Sequence, residues 1–326
     1  MEPYDLLQVR DFFQARDRFL LLTHRRPDGD TLGSAAALCR GLRRIGKTAF
    51  VAKNEDDTPR LSFLCGPLYA PENYQPEAVV SVDVADEELL PPSANGYRGH
   101  TDLVLDHHGT NRAFAARGLV RASACATGEI IWQVLDALGS PIDIPIWEAL
   151  YTAIATDTGC FRFSNTTPLG HRIAADSIAN GIDFLKINRE FFEKKSRARF
   201  QVERALFDGM VFSTDGLVCG TILTRAEIDA AEANGDDLDN LSTLTMALEQ
   251  VLVGIVFTEN RDGSFKVSVR SHRPVSAAAI CARFGGGGHP RAAGCTMQGD
   301  GLVALQKLMA AAQDQIAATD LSGADV

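Results

Sequence analysis

The sequence predicts an α/β protein in two parts, an N-terminal domain on a parallel sheet and a smaller C-terminal α/β domain. Three observations predict it. Through the first half, short apolar runs alternate with helix-patterned stretches, the signature of a parallel sheet with helices on both faces. A polar, charged, helix-favouring segment follows from Asp183 to Gly209 and reads as a long linker helix. Beyond it, short apolar strands and helices resume, ending in a run of four glycines and one more helix.

Taken in order, Arg18–Thr23 (RFLLLT) reads as a buried strand and His24–Asp30 as a loop. A helix is expected over Thr31–Ile45, with Gly46 suited to its C-terminal cap. Thr48–Ala52, Ala78–Val82 and Asp102–Leu105 are the next strands, and helices are expected over Thr127–Leu138 and Pro145–Thr156. Proline in the first turn favours the last of these. In the second half, Val211–Phe212, Leu217–Leu223, Val251–Thr258 and Phe265–Arg270 read as strands. Leu241–Gln250, Val275–Phe284 and Gly301–Ala318 read as helices. The expected domains are thus 1–185 and 210–320, joined by a linker helix over 186–209 and followed by an irregular tail, 321–326.

The chain has 326 residues, 45% of them hydrophobic, enough for a real core and about two domains. Its net charge of −10 argues against a broad nucleic-acid groove, which carries a basic stripe to neutralise many phosphates. The basic cluster EKKSRAR at Glu193–Arg199 reads as a solvated helix face. A small anionic substrate stays in play, because bound metal ions supply local positive charge. The apolar runs are too short to cross a bilayer, and the N-terminus has no basic-then-apolar signal layout. Seven cysteines without a CxxC pair read as free thiols, and the expected location is the cytoplasm.

The chemistry lies at the strand ends. Four acid or histidine clusters fall where strands or helices are expected to stop: His24-Arg-Arg-Pro-Asp28-Gly-Asp30, Asp83 in SVDVAD, Asp106-His107-His108 in LVLDHHGTN, and Asp157 in AIATDTG. Ligands of parallel sheets bind at the carboxyl ends of the strands. Carboxylates and imidazoles suit Mn²⁺, Mg²⁺, Fe²⁺ or Zn²⁺, and the absence of cysteine argues against structural zinc. Each cluster alone has a plain explanation: Pro-Asp-Gly is good turn chemistry, and an acid after a strand can cap a helix. Four together at compatible strand ends supply enough ligands for two metals bridged by a carboxylate.

These motifs, in this order and spacing, resemble the DHH phosphoesterases, named for the triplet that stands here as Asp106-His107-His108. The GGGGHPRAAG stretch at Gly285–Gly294 resembles the signature of the DHH-associated substrate domain, so the resemblance spans almost the whole chain. DHHGTN and DTGCFRFSNTTP are similar to the branch of bacterial bifunctional oligoribonucleases and pAp phosphatases, the nanoRNases. The resemblance implies a two-metal phosphoesterase with two divalent ions, Mn²⁺ first and Mg²⁺ or Co²⁺ as alternatives. It implies that His24 and Asp28 hold one metal, that Asp30, His107 and Asp157 hold the other, and that Asp83 bridges them. His108 would contact the scissile phosphate, and Asp106 would orient an imidazole. Asp86, three residues after Asp83, falls outside the motif.

In the second domain, the resemblance implies that Gly287, Gly288 and His289 meet a substrate phosphate, joined by Arg270 of VSVRSH. Arg291, His100, His171 and His272 are left without a role. The implied substrates are RNAs of two to five nucleotides and pAp, held in a cleft between the domains that limits their length. No long nucleic-acid groove and no membrane are implied, and a homodimer stays open. The alternative is a phosphodiesterase of cyclic dinucleotides or of linear products such as pApA. A non-enzymatic nucleotide-binding module would lack a ligand, and each expected ligand is present.

Overall fold

The computed structural model describes residues 1–321, in two compact units that divide between Lys194 and Lys195. The first unit contains β1 (Glu2–Pro3), α1 (Leu6–Gln14), β2 (Phe19–Leu22), α2 (Gly29–Arg44), β3 (Ala49–Val51), α3 (Ser62–Cys65), β4 (Ala78–Val82), β5 (Leu103–Asp106) and β6 (Arg117–Val120). It continues through α4 (Thr127–Ala137), α5 (Ile144–Asp157), α6 (Pro168–Ala179) and α7 (Phe184–Asn188). The six strands form one sheet in the order β1-β6-β5-β4-β2-β3, and every pairing is parallel.

The four successive buried residues of β2 follow from the pleat. Phe19 and Leu21 enter the large core under the helices, whereas Leu20 and Leu22 enter a smaller cluster on the opposite face. The α-helices of this unit contribute to the large core. The opposite face is covered by short 3₁₀ turns at Glu87–Leu89 and Pro92–Tyr97, so the expected helices on both faces are found on one.

From β2 the chain crosses through α2 to the edge strand β3, then returns to the other side of β2 with β4 and moves on to β5 and β6. The strand order therefore reverses between β2 and β4, and their carboxyl ends flank the crevice where such sheets take ligands. Each end carries one of the motifs recognised above.

The second unit contains α8 (Arg197–Asp208), β7 (Val211–Phe212), β8 (Val218–Leu223), α9 (Arg225–Ala230), β9 (Val253–Glu259), β10 (Phe265–Ser271), α10 (Ala277–Ala282), β11 (Gly287–His289), β12 (Ala292–Met297) and α11 (Gly301–Ala317). Its sheet runs β11-β12-β10-β9-β8-β7. The β8–β9 pair is parallel and the other pairs are antiparallel. Ile255 and Phe257 of β9 join α10 and α11 on one face, and Val256 joins α8 and α9 on the other.

Several expectations change. The single linker helix is broken: α7 passes into a π turn at Arg189–Glu193, Lys194 is extended, and Ser196 caps a new helix by accepting from the Arg199 N–H. The expected helix at Leu241–Gln250 is a 3₁₀ stretch, Leu241–Ala247, entered through left-handed Asn240. The strands β1, β6, β11 and β12 and the helices α1, α3, α6 and α9 lie outside the elements expected from the sequence. The expected tail, 321–326, lies outside the described residues apart from Leu321. The seven cysteines are unpaired, and no helix among the described residues is long and apolar enough to cross a membrane.

Candidate metal centre

The first cluster is built by a helix start. Asp28 is the N-cap of α2, and its Oδ1 accepts from the Asp30 and Thr31 amides, both at 3.0 Å. Helix α2 therefore begins at Gly29, two residues earlier than the sequence suggested, because the Asp28 carboxylate satisfies its first free amides. Asp30 then points inward from the first turn and is fully buried. Its oxygens accept from Ser34 Oγ (2.9 Å), the Thr127 amide (2.7 Å) and the Gly128 amide (3.0 Å). The start of α4 thus receives an anion, the charge its dipole favours. His24, just past β2, is fixed from behind by Asn54 Nδ2, which donates to the His24 carbonyl at 2.9 Å.

Asp83 follows β4 with φ +61°, a left-handed conformation rare for a residue with a side chain. Its Oδ2 lies 3.7 Å from His24 Nε2. Its Oδ1 lies 3.8 Å from His107 Nε2 and 3.6 Å from His108 Nδ1, and accepts from Thr127 Oγ1 at 2.8 Å. One carboxylate therefore faces two groups of ligands. His107 Nε2 also approaches Asp30 Oδ2 at 3.8 Å and Asp157 Oδ2 at 3.6 Å.

Three groups have their donor atoms mutually within 4.8 Å: His24, Asp28 and Asp83; Asp30, His107 and Asp157; and Asp83, His107 and His108. The first two contain all six residues expected to hold metal. The remaining residues of the triplet act together. Asp106 is completely buried and its Oδ1 accepts from His108 Nδ1 at 2.8 Å, while Oδ2 accepts from Asn111 Nδ2 at 2.7 Å. Asp86 instead caps the turn after it, accepting from the Glu88 amide, and pairs with Arg112.

Burial, and then the charges of Asp30, Asp28 and Asp106, push Asp83 well above the carboxylate range. Burial and the charge of Asp157 raise Asp30 to about 7, and burial and the charge of Asp28 raise Asp157 to about 7. The hydrogen bond that His108 donates to Asp106 raises His108. Among the described residues, the ion-pair partners of Asp28, Asp30, Asp83 and Asp157 are histidines alone. Buried like charges of this density are relieved by protons or by cations, and oxygen-rich sets completed by imidazole suit divalent metals. The donor set therefore fits the implied ions.

In the second unit, Arg270 on β10 and His289 on β11 both stand opposite Ala292 of the intervening β12. They share one row of the sheet, on one face, about 10 Å apart across two strand spacings. Arg270 is half-buried, and among the described residues its guanidinium makes one long hydrogen bond, to the Val269 carbonyl at 3.4 Å. The glycine run allows β11 to form: a Cβ at Gly286 or Gly288 would overlap the backbone of β12. Gly287 and His289 are exposed. Arg291 bonds the His272 and Val275 carbonyls, a structural task, and His171 stacks on Phe161.

Sequence reasoning missed the supporting shell: Ser34, Asn54, Asn111, Thr127 and Asn165. Asn165 Nδ2 donates to Asp157 Oδ2 at 3.1 Å and to the Cys125 carbonyl at 2.8 Å. The one available signal was position, since Asn111 and Asn165 lie inside the quoted DHHGTN and DTGCFRFSNTTP stretches.

The chain is similar to known proteins in sequence and in fold. Residues 18–154 match the DHH family, N-terminal domain, and residues 219–318 match the DHHA1 domain. The chain is 32% identical to the bifunctional oligoribonuclease and PAP phosphatase NrnA of Thermus thermophilus, over 91% of this chain and 89% of that one. It is 23% identical to the cyclic-di-AMP phosphodiesterase GdpP of Geobacillus thermodenitrificans, over 86% of this chain but 45% of that one. Its fold matches the crystal structure of an exopolyphosphatase-related protein from Bacteroides fragilis with a TM-score of 0.84, at 20% identity and 95% coverage of both chains. The chain belongs to the DHH family of phosphoesterases that carry a DHHA1 domain.

Proposed function

We propose that this protein is a two-metal phosphoesterase that hydrolyses RNA fragments of two to five nucleotides and converts pAp to AMP. The observation that carries the proposal is the Asp83 carboxylate, whose two oxygens face His24 on one side and His107 and His108 on the other. His24, Asp28 and Asp83 would hold one divalent ion, and Asp30, His107, Asp157 and Asp83 the second. Mn²⁺ is the ion that the family resemblance favours, and Mg²⁺ or Co²⁺ would suit the same four carboxylates and two imidazoles. Such ions supply an activated water near neutral pH and neutralise charge on a phosphoryl oxygen.

The chain's own residues would do the rest. Asp106 accepts from His108 Nδ1 and so favours the protonated imidazole, whose Nε2–H would donate to the scissile phosphate and stabilise its developing charge. Arg270 and His289, with the backbone of Gly287 and Gly288, would anchor a second phosphate of the substrate. A guanidinium with one weak bond of its own is a natural partner for two phosphate oxygens. A few donors at one point suit an acidic protein better than a basic groove does. The T. thermophilus relative, named for both activities and matched along nearly its whole length, supports the same substrates. A cytoplasmic location fits them too.

The test is chelation followed by reconstitution. The stripped protein should be inert toward a diribonucleotide, and activity should return with about two equivalents of Mn²⁺ per chain. Undiminished turnover in the stripped protein would refute the proposal.

A further inference from the structure

The segment after Asp157 is strained. Gly159, Cys160 and Phe161 are three successive left-handed residues, with φ of +56°, +57° and +64°, and two of them carry side chains that disfavour this conformation. Hydrogen bonds hold it. The Phe161 amide donates to Thr158 Oγ1 at 3.0 Å, the Arg162 and Phe163 amides donate to the Thr158 carbonyl at 3.0 Å, and Arg162 Nε donates to the Gly159 carbonyl at 2.7 Å. The Phe163 carbonyl accepts from both the amide and the hydroxyl of Thr166.

The outcome differs for the two aromatic residues of this segment. Phe161 turns inward against Tyr151 and His171. Phe163 stays 50% exposed, with its ring directly against Gly159, where a Cβ would overlap it. Core packing therefore explains Phe161 and leaves Phe163 unexplained. Both flanks of Phe163 are tied to the metal centre. Gly159 is two residues from Asp157, and Asn165, two residues on, binds the Asp157 carboxylate at 3.1 Å. Two residues span at most about 7 Å, so the ring stands within a nucleoside's reach of Asp157.

We infer that Phe163 is a stacking platform for a base of the substrate, and so the residue that makes this centre prefer nucleotides over simpler phosphate esters. The inference rests on the function proposed above. A half-exposed aromatic ring already braced against a glycine loses little freedom when a base covers it. Stacking accepts every base, because each has a π-face, as an enzyme clearing mixed RNA fragments requires.

The test compares pAp with ribose 3′,5′-bisphosphate, which keeps the sugar and both phosphates but has no base. Steady-state kinetics use the metal-loaded enzyme, and quenching of a 2-aminopurine dinucleotide reports binding separately. The wild type should favour pAp by roughly ten- to a hundredfold in kcat/KM, chiefly through KM. Phe163→Leu should erase that preference and the quenching, and Phe163→Trp should restore both. Phe163→Met gives a second unstacked variant, so a folding defect in one does not decide the result. Base preference that survives in the Leu and Met variants, or a loss equal on both substrates, overturns the inference. A wild type active on pAp but indifferent to the base overturns the stacking alone, whereas a wild type inert toward every nucleotide overturns the proposed function as well.

Discussion

Thr127 Oγ1 donates to Asp83 Oδ1 at 2.8 Å, and both residues are buried. This bond fixes the rotation of the carboxylate that faces both ligand groups, at the first residue of α4. Thr127→Val keeps the shape and removes the donor. It should weaken metal affinity or activity by about ten- to a hundredfold, as changes behind metal ligands do, and Thr127→Ser should restore most of it. Metal titration of the three proteins checks this; an unaltered Val variant would remove Thr127 from the centre.

Asp83→Ala should lose metal and activity together, because the residue serves both ligand groups. Elemental analysis of the purified variant is the check, and full occupancy with normal turnover would exclude Asp83 from the centre. His108→Ala should retain both metals and turn over slowly, since its role is toward the phosphate. Metal loss there would instead assign His108 to the ligand set that its proximity to Asp83 and His107 also permits.

The metal-free protein should depend on pH in a direction fixed by its carboxylates. Asp30 and Asp157 are raised to about 7, and Asp83 lies well above the usual range. A raised carboxylate gives the folded state stability that is fully present below the unfolded value near 4 and is lost as pH rises through about 7. His24 and His108, also raised, act in the same sense. The Tm of the chelated protein should therefore fall from pH 5 to pH 8, and Mn²⁺ at pH 8 should raise it while releasing protons. A Tm that climbs with pH in the chelated protein would contradict this electrostatic account.

Arg270→Ala should lower kcat/KM for pAp or a dinucleotide roughly ten- to a hundredfold, the cost of one charged hydrogen bond at about 1.5–3 kcal/mol. The same change should matter little for bis-p-nitrophenyl phosphate, which has no second phosphate to anchor. Kinetics on both substrates decide it: an equal loss on the two, or none on either, would show that Arg270 is no anchor.

Much of the centre was legible because its residues punctuate a simple pattern. Strands β2, β4 and β5 are apolar runs that each stop near a motif acid or histidine, and the parallel sheet aligns those ends. Arg270 and His289 were found through motif resemblance, and the shared opposite residue Ala292 needed the strand register. The supporting residues were harder to see. Thr127 and Asn165 carry no periodic signal, and their importance comes from contacts across 44 and 8 positions. The helix start at Gly29 was misplaced because Pro-Asp-Gly reads equally well as a turn, until the Asp28 carboxylate is seen to cap the helix. The break at Lys194–Ser196 was hidden because Ser196, which caps the new helix, stands among lysines, arginines and glutamates that favour helix.

The most direct test of the account is a hydrolysis panel with the Mn²⁺-loaded enzyme: pAp, RNAs of two to five nucleotides, a longer RNA, cyclic di-AMP and pyrophosphate. Rapid release of mononucleotides from the short RNAs and of AMP from pAp, with little turnover of the long RNA, the cyclic dinucleotide or pyrophosphate, is the predicted result. Preferred cleavage of cyclic di-AMP, or hydrolysis of the long RNA as fast as the short ones, would contradict it.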